Sequence, residues 1–140
     1  MAAGSDAELL EDLLAVEERL ISAYEAALRR EAIDPKLGDT LRDHENAHVE
    51  GLLRALRDSG GTRSPRAKVP TPELTAALRD RAAFARYALA LEADAVAAYR
   101  LIVAQISSPS LRQALGSIMA CEAAHEVALR ESLGARPLVD

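Results

Sequence analysis

Aromatic side chains are nearly missing from this chain, which has one Phe, three Tyr and no Trp. β-branched residues are also sparse and scattered, so the material that fills the pleated faces of a sheet protein is not there. A single cysteine, Cys121, excludes an intramolecular disulfide. A basic excess is missing too. The formal charge is −5 and the pI near 5.2, and the arginines are interspersed with Asp and Glu at helical spacing. No basic stripe exists to release counterions from phosphate, which argues against nucleic acid as a partner. No apolar run reaches the roughly 18 residues that a membrane span needs. The N-terminus lacks a basic stretch leading into an apolar one, so no secretion signal is expected and a cytoplasmic location is.

What is present is a helix-forming set. Hydrophobic residues make up 49% of the chain, and Ala, Leu, Glu and Arg dominate, all of which favour helix. With 140 residues, the chain is long enough to bury a core without staples and suits one domain over 1–140. The expectation is an all-α domain packed through small side chains.

Punctuation divides the chain into four expected helices. Ser5-Asp6-Ala7-Glu8 reads as a capping box opening a helix over about 5–31. Asp34-Pro35, an N-cap followed by proline at the first helical position, opens a second over about 35–59, which Gly60-Gly61 stops. The glycine- and proline-containing stretch of about 60–71 is the one long crossover. Thr71-Pro72-Glu73 opens a third helix expected over about 72–107, a rod of about 50 Å if it neither kinks nor breaks. Ser108-Pro109 opens the fourth, over about 109–133, before Gly134 and Pro137.

The chain repeats itself. Leu14-Ala15-Val16-Glu17 with Ala23-Tyr24 matches Leu89-Ala90-Leu91-Glu92 with Ala98-Tyr99, 75 residues on from Glu17 to Glu92. Glu45-Asn46-Ala47-His48 matches Glu122-Ala123-Ala124-His125, 77 residues on. The sequence is thus a helical hairpin used twice, and each hairpin supplies a Glu, a Tyr seven residues later and a Glu-x-x-His.

Helix geometry brings these residues to one place. Positions three apart share a face, and positions seven apart return to nearly the same azimuth. Glu17 and Tyr24 fall on the stripe of Leu10, Leu13 and Leu20, and Glu45 on that of Leu41, Leu52 and Leu56. Glu92 and Tyr99 interrupt Ala85, Ala88, Val96 and Val103, while Glu122 and His125 interrupt Leu111, Leu115, Ile118 and Leu129. All of them are expected to point inward. The midpoint of Glu17 and Glu45 is residue 31, and that of Glu92 and Glu122 is residue 107, both at hairpin turns, so the carboxylates sit at matching heights. Thirteen Glu and three His scattered over 140 residues would give only about 0.3 Glu-x-x-His pairs. The two present use two of the three histidines. Four carboxylates facing one another in an apolar core would each be costly. Two divalent ions would balance them, with neutral imidazoles completing each position, so metal ligation by Glu17, Glu45, His48, Glu92, Glu122 and His125 is expected.

A Glu on two helices with Glu-x-x-His on the other two resembles the ligand set of the ferritin-like di-iron and di-manganese carboxylate proteins, including bacterioferritin- and rubrerythrin-type members. The resemblance covers the whole chain and implies an antiparallel four-helix bundle of two repeated hairpins joined by one longer crossover. It implies two Fe ions, or two Mn ions, with Glu17 and Glu92 as terminal ligands and Glu45 and Glu122 as bridges. His48 and His125 would complete one position each. Tyr24, and its twin Tyr99, would stand just outside the metal, Tyr24 as an electron donor. Many relatives carry an acidic residue just before the second- and fourth-helix Glu. Here His44 and Cys121 stand there, so the outer residues differ or come from elsewhere, such as Asp94. Cys121 itself reads as a small buried filler. The extra carboxylate and paired cysteines of rubrerythrin-like peroxidases are not in the sequence.

The activity implied is that of an oxidoreductase using dioxygen or peroxide, with Fe(II) or a small organic molecule as electron source. A manganese catalase and a non-enzymatic metal-binding or structural bundle are the alternatives. Storage ferritins have longer helices and a fifth one, and the third helix here carries a second apolar stripe, Phe84, Tyr87, Leu91, Ala98 and Leu101. Each helix of a bundle contacts two neighbours, so much of this stripe can be intramolecular packing, and what remains points to a symmetric homodimer through the third helix instead of a cage. Light scattering should therefore report twice the chain mass of 15.0 kDa. A single chain mass rejects the dimer, and several hundred kDa restores the storage cage.

Overall fold

Four of the expected start signals cap helices. In the computed structural model, which describes residues 4–63 and 71–134, Ser5 and Glu8 close the capping box of α1 (Asp6–Arg29). The Asp34 carboxylate accepts from Leu37 N at the start of α2 (Pro35–Asp58). Thr71 caps α3 (Pro72–Ala77) and Ser108 caps α5 (Pro109–Ser132). In each case a side-chain oxygen takes up an amide that the first helical turn cannot satisfy. No helix among the described residues is long and apolar enough to cross a membrane.

The expected rod over 72–107 is two helices. α3 ends after Ala77, and α4 (Arg81–Val103) starts afresh. The break is made by Asp80, whose backbone is extended and whose carboxylate accepts from Ala83 N at 2.7 Å. An Asp inside a helical pattern offers its own backbone this competing bond, and here it prevails. The turn lets Leu74 of α3 fold back beside Phe84 of α4, both buried in one apolar cluster. Most of the crossover expected over 60–71 lies outside the described residues.

Helix ends follow the same logic. Gly60 takes a left-handed φ of 76°, with Gly61 N bonded to Leu56 O. Glu31 does the same job at the end of α1 with φ 56°, and Ala32 N bonds to Ala27 O. This is the glycine-type helix stop carried by a residue with a Cβ, so no sequence signal announced it. Gly38 serves close approach instead, since a Cβ there would lie 2.6 Å from Leu28 Cδ2 and 2.8 Å from Ile33 Cγ2.

The long helices form two hairpins, α1 with α2 and α4 with α5, which meet chiefly along α1 and α4. The core is split in two. One cluster holds Leu20, Tyr24, Leu41, Phe84, Ala88 and Leu129, and the other Leu10, Leu13, Leu52, Leu56, Tyr99 and Leu115. Each fully buried leucine contributes roughly 2 kcal/mol by leaving water. On α1, α2 and α5 a glutamate falls between the two clusters, Glu17, Glu45 and Glu122, and on α4 Glu92 lies one turn before the changeover, which follows Ala95; all four are fully buried. The second stripe of the expected third helix is largely spent inside the molecule. Phe84 is buried and Tyr87, Leu91 and Ala98 partly so, while Leu101 is 69% exposed.

The Asp80 cap generates a prediction. Asp80→Ala should lower the unfolding free energy by about 1 kcal/mol, and Asp80→Asn should largely retain it. Urea denaturation measures both, and equal stability of wild type and alanine variant would show that the break is set by packing alone.

Candidate metal centre

Each of the six expected ligands arises from a helix that would otherwise be continuous in its apolar face. Glu17 comes from α1, Glu45 and His48 from α2, Glu92 from α4, and Glu122 and His125 from α5. The structure brings all six together in the layer between the two apolar clusters. They form two overlapping groups in which one atom from each residue lies within 4.8 Å of the others: Glu17, Glu45, His48 and Glu122, then Glu45, Glu92, Glu122 and His125. Glu45 and Glu122 belong to both.

Both imidazoles turn Nδ1 inward. His48 Nδ1 lies 3.0 Å from Glu45, 3.1 Å from Glu122 and 3.4 Å from Glu17. His125 Nδ1 lies 2.9 Å from Glu45, 3.0 Å from Glu122 and 3.3 Å from Glu92. His48 retains 11% side-chain exposure and His125 3%.

The two tyrosines bind the hairpins together reciprocally. Tyr24 of α1 donates its hydroxyl to Glu92 of α4, and Tyr99 of α4 donates to Glu17 of α1. Burial and the facing carboxylates push both hydroxyls above their usual range, so both remain donors. These bonds take up one oxygen of Glu17 and one of Glu92.

Even so, the layer is short of donors. Glu17 Oε2, Glu45 Oε1, Glu92 Oε2, both Glu122 oxygens and His125 Nδ1 are buried without a hydrogen bond of good geometry. Buried polar atoms are almost always satisfied. Six that are not, all aimed into one space and all oxygen or imidazole nitrogen, make the donor set of a cation site, and the cluster is compatible with bound metal.

Protons take on the charge balance when metal does not. Burial pushes Glu17 up to about 9, against a hydrogen bond from His48 and with the charges of Glu122 and Glu45 adding to it. Burial likewise pushes Glu92 up to about 8, against His125. Burial opposes charging of the imidazoles, but three carboxylates each outweigh it, raising His48 far above its usual range and His125 to about 12. Burial also works against Glu122, yet the close approach of the His125 and His48 imidazoles holds it well below the carboxylate range.

Outside this layer, two residues stand elsewhere than expected. Asp94 is exposed, because two residues along a helix turn it about 200° away from Glu92. Cys121 is not a buried filler. It is half-buried, with Sγ 3.4 Å from His125 Nε2, and His44 Nδ1 lies 3.0 Å from the same nitrogen. The signal for Cys121 was its position one turn before His125 on α5. For His44 on α2 no local signal existed, since the contact crosses between hairpins.

The ferritin-like domain family matches residues 5–135. Among solved structures, the crystal structure of a conserved hypothetical protein, rv2844, from Mycobacterium tuberculosis has a TM-score of 0.80 and 22% identity. The match covers 96% of this chain and 94% of that one, and at this identity the likeness concerns the fold. No curated protein matches the sequence.

The protonation pattern sets the pH dependence of the metal-free protein. Between pH 5 and 8, native Glu17 and Glu92 hold protons that the unfolded chain has released, so stability rises as pH falls. The raised imidazoles act in the same direction above about pH 6.5, where only the unfolded chain loses their protons. Glu122, being lowered, opposes this only below about pH 4.5. Urea unfolding of chelator-treated protein should therefore give a stability that falls from pH 5 to pH 8 by about 1.4 kcal/mol per pH unit for each proton involved. A flat profile would contradict the buried layer.

Proposed function

The chain belongs to the ferritin-like domain family, and from that premise we propose that it is a dinuclear metal oxidoreductase that uses iron to reduce dioxygen or peroxide. The observation that carries this reading is the pair of overlapping four-residue groups sharing Glu45 and Glu122. In one position Glu17 and His48 would hold a metal ion, in the other Glu92 and His125 would, and Glu45 and Glu122 would serve both. Four carboxylates with two imidazoles suit iron or manganese better than a metal favouring sulfur. When bound, the two metal ions supply the electrons that dioxygen or peroxide accepts, and Fe(II) or a small organic molecule restores them.

The protein's part is positional. The Tyr24 and Tyr99 hydroxyls hold Glu92 and Glu17 by one oxygen each, leaving the other directed into the layer. Leucines above and below keep water from the layer, which strengthens each charge interaction inside it. His125 Nε2 faces His44 and Cys121 and so can pass a proton outward, since His44 is exposed.

Anaerobic Fe(II) loading followed by air should generate a near-ultraviolet band of oxidised iron, with repeated turnover when reductant is supplied. A colourless complex would favour a metal-holding bundle without turnover, and activity restored by manganese alone would favour a catalase. Glu45→Ala and Glu122→Ala should each reduce bound metal from two ions to one or none, because each removes a ligand common to both positions. Glu50→Ala, at an exposed place on α2, should leave metal content unchanged. Equal metal loss in all three variants would overturn the assignment.

A further inference from the structure

Two further side chains gather beside His125 at the outer edge of the carboxylate layer. Cys121 Sγ, His44 Nδ1 and His125 Nε2 all lie within 4.8 Å of one another, stepping from exposed His44 through half-buried Cys121 to buried His125. The edges of the triangle are 3.0 Å between the two nitrogens, 3.4 Å from sulfur to His125 Nε2 and 3.9 Å from sulfur to His44 Nδ1.

We propose that Cys121, His44 and His125 form a second metal site, selective for a sulfur-tolerant divalent ion of the zinc and cobalt class. Tetrahedral bonds of roughly 2.05 Å to nitrogen and 2.3 Å to sulfur place two nitrogens about 3.3 Å apart and a nitrogen and a sulfur about 3.6 Å apart. The two sulfur edges, 3.4 and 3.9 Å, fall either side of that value, and the nitrogen–nitrogen edge of 3.0 Å is shorter by about 0.3 Å, a difference small side-chain rotations close; water would take the fourth position. A hydrogen bond from His125 Nε2 to His44 Nδ1 accounts for one edge of the triangle but not for the two that end on sulfur.

His125 is already arranged as such a ligand. Metal-bound imidazoles almost always donate their other N–H to a carboxylate. His125 Nδ1 has Glu45 at 2.9 Å, Glu122 at 3.0 Å and Glu92 at 3.3 Å. When no inner metal is bound, a proton on Nδ1 faces these carboxylates and Nε2 is the atom left to ligate at the outer triad; the same Nδ1 would be the inner site's ligand atom, so the two sites compete for His125. Binding releases the thiol proton of Cys121 and any proton on Nε2 and leaves the metal oxidation state unchanged. Thiolate plus two imidazoles is a softer set than the four carboxylates within, so the two sites sort ions by class.

Cobalt(II) titration of the full chain tests this, because thiolate-to-cobalt charge transfer absorbs in the near ultraviolet and carboxylate or imidazole ligation alone does not. A thiolate band appearing at any point of the titration is expected in the wild type. Cys121→Ser should abolish it, and His44→Ala should lower the apparent zinc affinity at least about tenfold in competition with a chelator. Circular dichroism establishes that both variants keep their helices. No thiolate band in the wild type, or the same spectrum in Cys121→Ser, would overturn the proposal. The two sites share His125 but fail separately, since Glu17→Ala touches only the His48 side and should keep the band. Loss of iron binding with the band intact would count against the inner site alone.

Discussion

Four carboxylates buried at one level of a helical bundle are the constraint around which the rest of this molecule is arranged. Each sits at or within a turn of the place where its helix passes from one apolar cluster to the other, so the core is two hydrophobic halves with an ionisable layer between. Removing such groups from water is expensive, and their mutual repulsion grows as the local dielectric falls. Something positive must enter the layer. The chain offers two imidazoles and two tyrosine hydroxyls, and the oxygens still lacking partners are directed at the space between them. Protons on Glu17 and Glu92 or metal ions can both complete the balance, which makes the layer a place where metal and proton compete.

That competition links stability to function. The apolar halves supply the burial that holds the helices together, while the layer subtracts from it whenever it is uncompensated. Metal bound only to the native state stabilises that state by mass action. The same absence of preformed donors that strains the metal-free protein is what leaves ligand atoms free to bind.

The internal repeat gives the layer an approximate two-fold symmetry, most visible in the crossed bonds from Tyr24 to Glu92 and from Tyr99 to Glu17. The symmetry fails outside the layer. His44 and Cys121 occupy matching places in the two hairpins, one residue before Glu45 and Glu122, yet both lie beside the His125 ring, whose centroid is 5.3 Å from that of His44 in a stacked arrangement. The two carboxylate and imidazole groups are therefore alike in composition and unlike in what backs the imidazole. His125 has a thiol and a second imidazole behind it.

The amino-acid sequence by itself determined the helical class, the caps at Ser5, Asp34, Thr71 and Ser108, and the six residues that would meet. All of these rest on short-range regularities: a capping oxygen three residues from its amide, and a face shared at spacings of three, four and seven. Matching distance from two turns was enough to level the carboxylates. Tertiary structure decided what has no such periodicity. Asp80 breaks the expected rod because Leu74 can then fold back beside Phe84, and Glu31 takes a left-handed turn in place of a glycine. The exposure of Asp94 and the nearness of Cys121 to His125, by contrast, follow from helical spacing and were legible in the sequence. The meeting of His44 with Cys121 and His125 joins residues some 80 positions apart, and only the lateral docking of the two hairpins could bring it about.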